Sequence, residues 1–322
     1  MEIQRSGFFN VGFFRDLAIA SLTFFLVALT PVVGAIVIIF IPLPILYYYM
    51  KNGRVKGLAI MAPSLGISFI FLSIIDAYTN VLLISMLAAT GIMISECLKR
   101  NFPLEKTVSY SVAAIFCAGA MFVLHQSYYW GVAPWQLVET YIQKQIVYSF
   151  KVYAGLNIAA EQINTIKENL PEVVSSITLI LPSLFLVTVS FIVWINLLAA
   201  RLLFKKLALP GMDFGDLSSW KAPEKMVWYL IAAGAMVLLS DGGTVMIGWN
   251  MLVVIMFVYL LAGLAIVSFF LKKSPLSTGF RYLIYFLIFA QQIATLLVVA
   301  AGLFDLWADF RKLNKTMEDS VV

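Results

Sequence analysis

From Leu17 to Met50 the chain runs for 34 residues without a charged side chain, and seven further uncharged stretches of about 15 to 32 residues follow. A helix rising 1.5 Å per residue crosses a hydrocarbon core of about 30 Å in roughly 20 residues, so these stretches have about the length of a crossing. As one straight helix the first run would reach ~51 Å, so a turn at Thr30-Pro31 divides it into two short spans. Further spans are predicted at 57–75, 78–97, 107–127, 173–202, 226–241, 246–271 and 282–304. The pattern predicts an all-α fold, a polytopic transmembrane helical bundle of about nine spans.

Residues 133–170 carry a different pattern. Ile142, Ile146, Phe150, Tyr153, Leu156, Ala160 and Ile163 recur at steps of three or four, with Gln143, Lys144, Ser149, Lys151, Asn157 and Glu161 between them. That spacing predicts an amphipathic helix outside the hydrocarbon. Such a helix lies on the outer leaflet, caps the bundle, or pairs with a membrane-protein partner or a second copy. Tyr128, Tyr129, Trp130 and Trp135 precede it and resemble an interfacial aromatic anchor. A second polar stretch, 208–225, reads as a structured cytoplasmic loop with Pro210-Gly211, Asp213, Asp216, Trp220 and Pro223. It divides an N-terminal bundle, 1–207, from a C-terminal three-helix unit with its tail, 226–322.

Composition agrees with a lipid environment. Of 322 residues, 62% are apolar and 12% charged, which is too little polar surface to cover a soluble globule of this size. The net charge of +5 comes from short basic clusters between apolar runs, which fits membrane orientation and gives no sign of a nucleic-acid partner. Alternating spans place 16 Lys and Arg on one face and only Lys144, Lys151 and Lys167 on the other, so the N-terminus is expected in the cytoplasm. The tail resists this scheme. Nine spans put it outside, yet Arg311, Lys312 and Lys315 suit the inner face, so a flat-lying or re-entrant last segment is the alternative. The apolar run after Arg5 and Arg15 has no polar cleavage region and reads as an uncleaved first span.

Little in the chain resembles catalytic chemistry. The predicted span centres hold no ionisable side chain, and Asp76, Glu96, Arg201, Asp241 and Asp305 fall at span ends. His125 is the single histidine, Cys97 and Cys117 lie outside any CxxC, and no HExxH, GxSxG or GxxxxGK[ST] occurs. These residues predict no enzyme, no metal and no cofactor. A solute pocket would draw on two kinds of position. Pro42, Pro44, Pro63 and Pro182 each remove a helix donor, and broken helices at membrane depth can offer backbone groups to a solute. Asn196, Asn250, Gln291 and Gln292 add neutral polar groups. The same features also serve as ordinary kinks and helix-to-helix glue.

Pro42-Leu43-Pro44 with Gly53 and Gly57, Trp220 with Pro223 and Trp228, Gly263-Leu264-Ala265, and Gly302-Leu303-Phe304-Asp305 with Trp307, Asp309, Phe310 and Arg311 resemble the YybS-like family of uncharacterised bacterial integral membrane proteins. The resemblance covers most of the chain and implies a bacterial cytoplasmic (inner) membrane location. Residues 15–126 also look like the substrate-binding membrane subunits of energy-coupling-factor transporters, which would imply a small-solute pocket and an external ATPase with a coupling subunit. Those subunits have about six spans and lack a long outer helix, so no binding residue is carried over. Two functions follow as expectations: a non-catalytic membrane scaffold or assembly factor, or a small-solute binding or transport component.

Overall fold

The computed structural model describes residues 9–29, 38–74, 80–155, 167–207, 215–239 and 241–312. Among these the chain is helical, with no strand. The helices are α1 (Val11–Leu29), α2 (Pro42–Asn52), α3 (Arg54–Ile74), α4 (Asn80–Lys99), α5 (Leu104–Trp130) and α6 (Pro134–Gly155). They continue as α7 (Leu170–Lys206), α8 (Met226–Leu239), α9 (Gly243–Lys273), α10 (Thr278–Ala290) and α11 (Gln292–Ala308). Short 3-10 turns occupy Ile38–Phe40 and Leu217–Ser219.

By length and composition, four helices among the described residues can cross a membrane: α4 from Leu82, α5, α7 and α9. The α10–α11 pair makes a fifth if its two arms count as one span. The nine crossings expected from the sequence are not reached on this measure. Each difference has a local reason. The first apolar run holds α1 and, at its far end, the 11-residue α2, too short for a crossing; the turn at Thr30-Pro31 lies outside the described residues. The 226–241 stretch yields a helix of only 14 residues. The last stretch is two helices bent by 100° around Gln291, whose extended backbone (φ −109°, ψ 112°) interrupts the ladder.

The chain forms two compact units, 1–121 with 188–214, and 122–187 with 215–322, so α5 and α7 each contribute a part to both. In the first unit Phe13, Ala20 and Phe24 of α1, Ile45 and Tyr48 of α2, Ile60 and Met61 of α3, Ile84, Leu87 and Ala88 of α4, and Ile192 of α7 make one apolar core. Asn10 caps α1, its side-chain oxygen accepting the Phe13 N–H at 2.9 Å. Gly53 alone joins α2 to α3 at φ +79°, a conformation glycine adopts without steric cost. In the second unit Ala233 of α8, Ile255, Tyr259 and Ala262 of α9, and Val299, Leu303 and Leu306 of α11 pack together with Trp220 and Ala222. Here α9 and α11 approach closely at Gly263 and Gly302, where an added Cβ would collide with the backbone of Val298 or of Tyr259.

Large apolar side chains cover the outside. Only 22% of the α5 segment is buried, and Met121, Leu124, Leu238, Phe286 and Leu296 are all exposed. Surfaces of this kind are unfavourable in water and ordinary in lipid. Five buried hydroxyls bond within their own helices: Ser64 to the Ile60 carbonyl, Ser68 to Ser64, Thr90 to Met86, Ser95 to Gly91 and Thr178 to Val174. These five hydroxyls are satisfied by their own helices.

Candidate functional site

The two asparagines of the expected pocket stand in different units and do different work. Pro182 lacks an N–H, and at this weak point of α7 the Asn250 carboxamide of α9 enters the helix ladder. The Ser183 N–H donates to Asn250 Oδ1 at 2.8 Å, and Asn250 Nδ2 donates to the Leu179 carbonyl at 2.7 Å. In a regular helix Ser183 would donate to Leu179 directly. The amide thus bridges one interrupted turn, and Nδ2 also reaches the Met246 carbonyl of its own helix at 2.8 Å. Each amide atom of Asn250 is occupied by backbone.

Asn196, fully buried on α7, donates from Nδ2 to the Ile39 carbonyl and to the Ile192 carbonyl, both at 2.8 Å. Ile39 belongs to the 3-10 turn that precedes α2, so this amide ties an irregular stretch of backbone to a long helix. Its Oδ1 is buried without a hydrogen-bond partner. Pro42 and Pro44 do not break a helix as expected; they begin one, Pro42 occupying the first helical position where a missing N–H costs little. Pro42 is buried, and Gly91 of α4 lies against its backbone. Pro63 sits inside the continuous helix α3 and is exposed. Gln291 forms the α10–α11 bend and is also exposed. Within the first unit the structure brings Asn196 close to the segment leading into Pro42. An open groove does occur on α6, lined by Gln143, Lys144, Val147 and Tyr148.

Charged groups near the helix ends organise the structure, and their pairing is not visible in the chain. Asp16 on α1 is buried and receives the Lys51 ammonium at 3.0 Å, with Arg15 at 3.4 Å and the Asn52 amide at 3.5 Å. Glu96 on α4 takes Arg54 at 3.1 Å and the Tyr49 hydroxyl. These contacts join α1, α2, α3 and α4 at one end. In the second unit Arg311 and Asp305, each 4% exposed, form an ion pair at 2.7 Å. Arg311 also donates to the Ser218 carbonyl at 2.6 Å and the Trp220 carbonyl at 3.0 Å, while Asp305 accepts the Phe310 N–H at 2.9 Å. Lys221 pairs with Asp309 at 2.7 Å, and Lys272 pairs with Asp216. Asp216 additionally accepts the amide and hydroxyl of Ser218. The Lys272 bond first, and the Ser218 amide and hydroxyl after it, pull the Asp216 carboxyl down to about 2. One signal for this cluster was present in the chain: Asp305, Asp309 and Arg311 stand in one of the short motifs already singled out.

Among the described residues no three His, Cys, Asp or Glu side chains gather as metal ligands. His125 is exposed, Cys97 buried and Cys117 exposed. The charged clusters hold helices and loops together.

No curated protein and no solved structure matches the chain. A family model described as "Predicted membrane protein (DUF2232)" matches residues 18–306, from within α1 to within α11. A match over that much of the chain, on helices whose outer surfaces are apolar, places it: the chain belongs to the DUF2232 family of predicted membrane proteins.

Proposed function

We propose that this chain is a non-catalytic scaffold or assembly factor of the bacterial cytoplasmic membrane, with its N-terminus in the cytoplasm. The observation that carries this reading is the occupation of Asn250, whose carboxamide completes a helix interrupted by Pro182. A residue of the expected pocket is engaged in holding helices, as are the ion pairs at Asp16, Glu96 and Asp305. The amphipathic helix α6 supplies a surface for a membrane-protein partner or a second copy. It buries Ile142 and Phe150 and presents Lys144, Tyr141 and Tyr148 outward. A photo-crosslinking side chain placed at Lys144 tests the reading in native membranes. One protein captured in fixed ratio, and lost on Tyr148→Asp, is the expected result; adducts with lipid and unrelated neighbours alone contradict it.

A second reading has its own support. Asn196 Oδ1 is a buried acceptor without a partner, beside the segment that leads into α2. A small solute with a donor group would satisfy it, as would be required of a component similar to energy-coupling-factor substrate-binding subunits working with an external ATPase. Thermal unfolding of the purified protein against a panel of vitamins tests it, because a ligand of the folded state alone raises the midpoint. A rise that disappears in Asn196→Leu supports transport; a flat response across the panel removes this reading.

A further inference from the structure

Lys272, in the last turn of α9, and Arg311, just beyond α11, bind the same residue. The Lys272 ammonium donates to the Ser218 hydroxyl at 3.1 Å, and the Arg311 guanidinium donates to the Ser218 carbonyl at 2.6 Å. Two groups that share one residue lie on one side of a hydrocarbon layer about 30 Å thick. The Lys272 and Asp216 side chains of the same cluster are 53% and 57% exposed, and charged groups exposed at a helix end belong at the boundary with water. The Lys221–Asp309 pair repeats the connection with different residues. The chain after Lys273 therefore leaves this face and returns to it by Asp309.

The two helices between have dimensions that fit such a path. With 13 and 17 residues, α10 and α11 measure about 20 Å and 25 Å, each less than a full crossing, and they meet in a 100° bend. We propose that α10 and α11 form a re-entrant pair, and that residues 309–312 lie on the same membrane face as the 215–225 loop and the Lys272–Lys273 end of α9. The conflict in the charge pattern then disappears. Arg311 and Lys312, which nine alternating crossings would place opposite the other basic clusters, join Lys221, Lys225, Lys272 and Lys273 on one side.

The test uses the unmodified protein in sealed right-side-out and inverted membrane vesicles. A membrane-impermeant amine-reactive ester is applied to each, and modified lysines are read by peptide mass spectrometry. Lys225, Lys273 and Lys312 are expected to react in the same vesicle type, each at least tenfold more than in the other. A second measurement labels Ser277→Cys and Lys312→Cys with an impermeant maleimide, with the unsubstituted chain as blank for Cys97 and Cys117. Modification of position 312 from the face opposite to 225, 273 or 277 overturns the proposal.

Discussion

Arg311 shows what a single buried charge does here. Its guanidinium joins Asp305 and two loop carbonyls, and both partners of the ion pair are almost wholly buried. Arg311→Ala leaves the Asp305 carboxylate buried without its counter-charge, which costs about 3–5 kcal/mol. Arg311→Lys keeps the charge and loses the forked geometry, so its thermal midpoint in detergent should fall between those of the wild type and the alanine variant. Equal midpoints for alanine and wild type would remove the pair from the stability of this unit. Asp216 gives a pH signature of opposite exposure. Its folded value, about 2, lies below the ordinary 3.8, so the tie to Lys272 is complete above the ordinary value and is lost as pH falls through about 2. Titration of the Asp216 carboxyl by NMR should show that low midpoint, and Lys272→Met should return it toward the ordinary range.

At the scale of helices, Pro182 and Asn250 act as one device. Asn250→Ala leaves the Ser183 N–H and the Leu179 carbonyl unpaired and should cost about 1–3 kcal/mol. In a Pro182→Ala background the helix can form that bond itself, so the same substitution should cost clearly less. A double-mutant cycle on thermal unfolding reads the difference, and strict additivity would contradict the bridge. The α9–α11 crossing makes a second prediction. Gly302→Ala sets a Cβ against the Tyr259 backbone, with an expected loss of about 1–3 kcal/mol, whereas Gly66→Ala in α3 meets nothing within 4 Å and should not destabilise. The sequence made these helices legible through runs of uncharged residues, but not their partners. Asn250 was visible as a polar residue in a span and Pro182 as a kink; their pairing across 67 positions of chain appears only on folding. Pro42 and Pro44 begin a helix instead of breaking one for a related reason. Proline interrupts a helix interior and begins a helix equally well, and which applies depends on where the preceding turn falls.

For the whole molecule, apolar run length carried the all-α class and the membrane setting, because the thickness of hydrocarbon fixes helix length directly. The same rule gave no account of α2, α8 or the α10–α11 bend, where apolar segments fold into pieces shorter than a crossing. Nor did it expose the ion pairs of Asp16 and Asp305, since a charge near a span end looks solvated until its neighbours are known. What the account rests on is lipid against the outer face of both units. Spin labels at Met121, Leu238 and Leu296, with Lys225 as the aqueous reference, test this in reconstituted bilayers by collision with oxygen and with a water-soluble nickel chelate. The three apolar positions should favour oxygen and exclude the chelate while Lys225 does the reverse; chelate access at Met121, Leu238 and Leu296 equal to that at Lys225 would contradict the account.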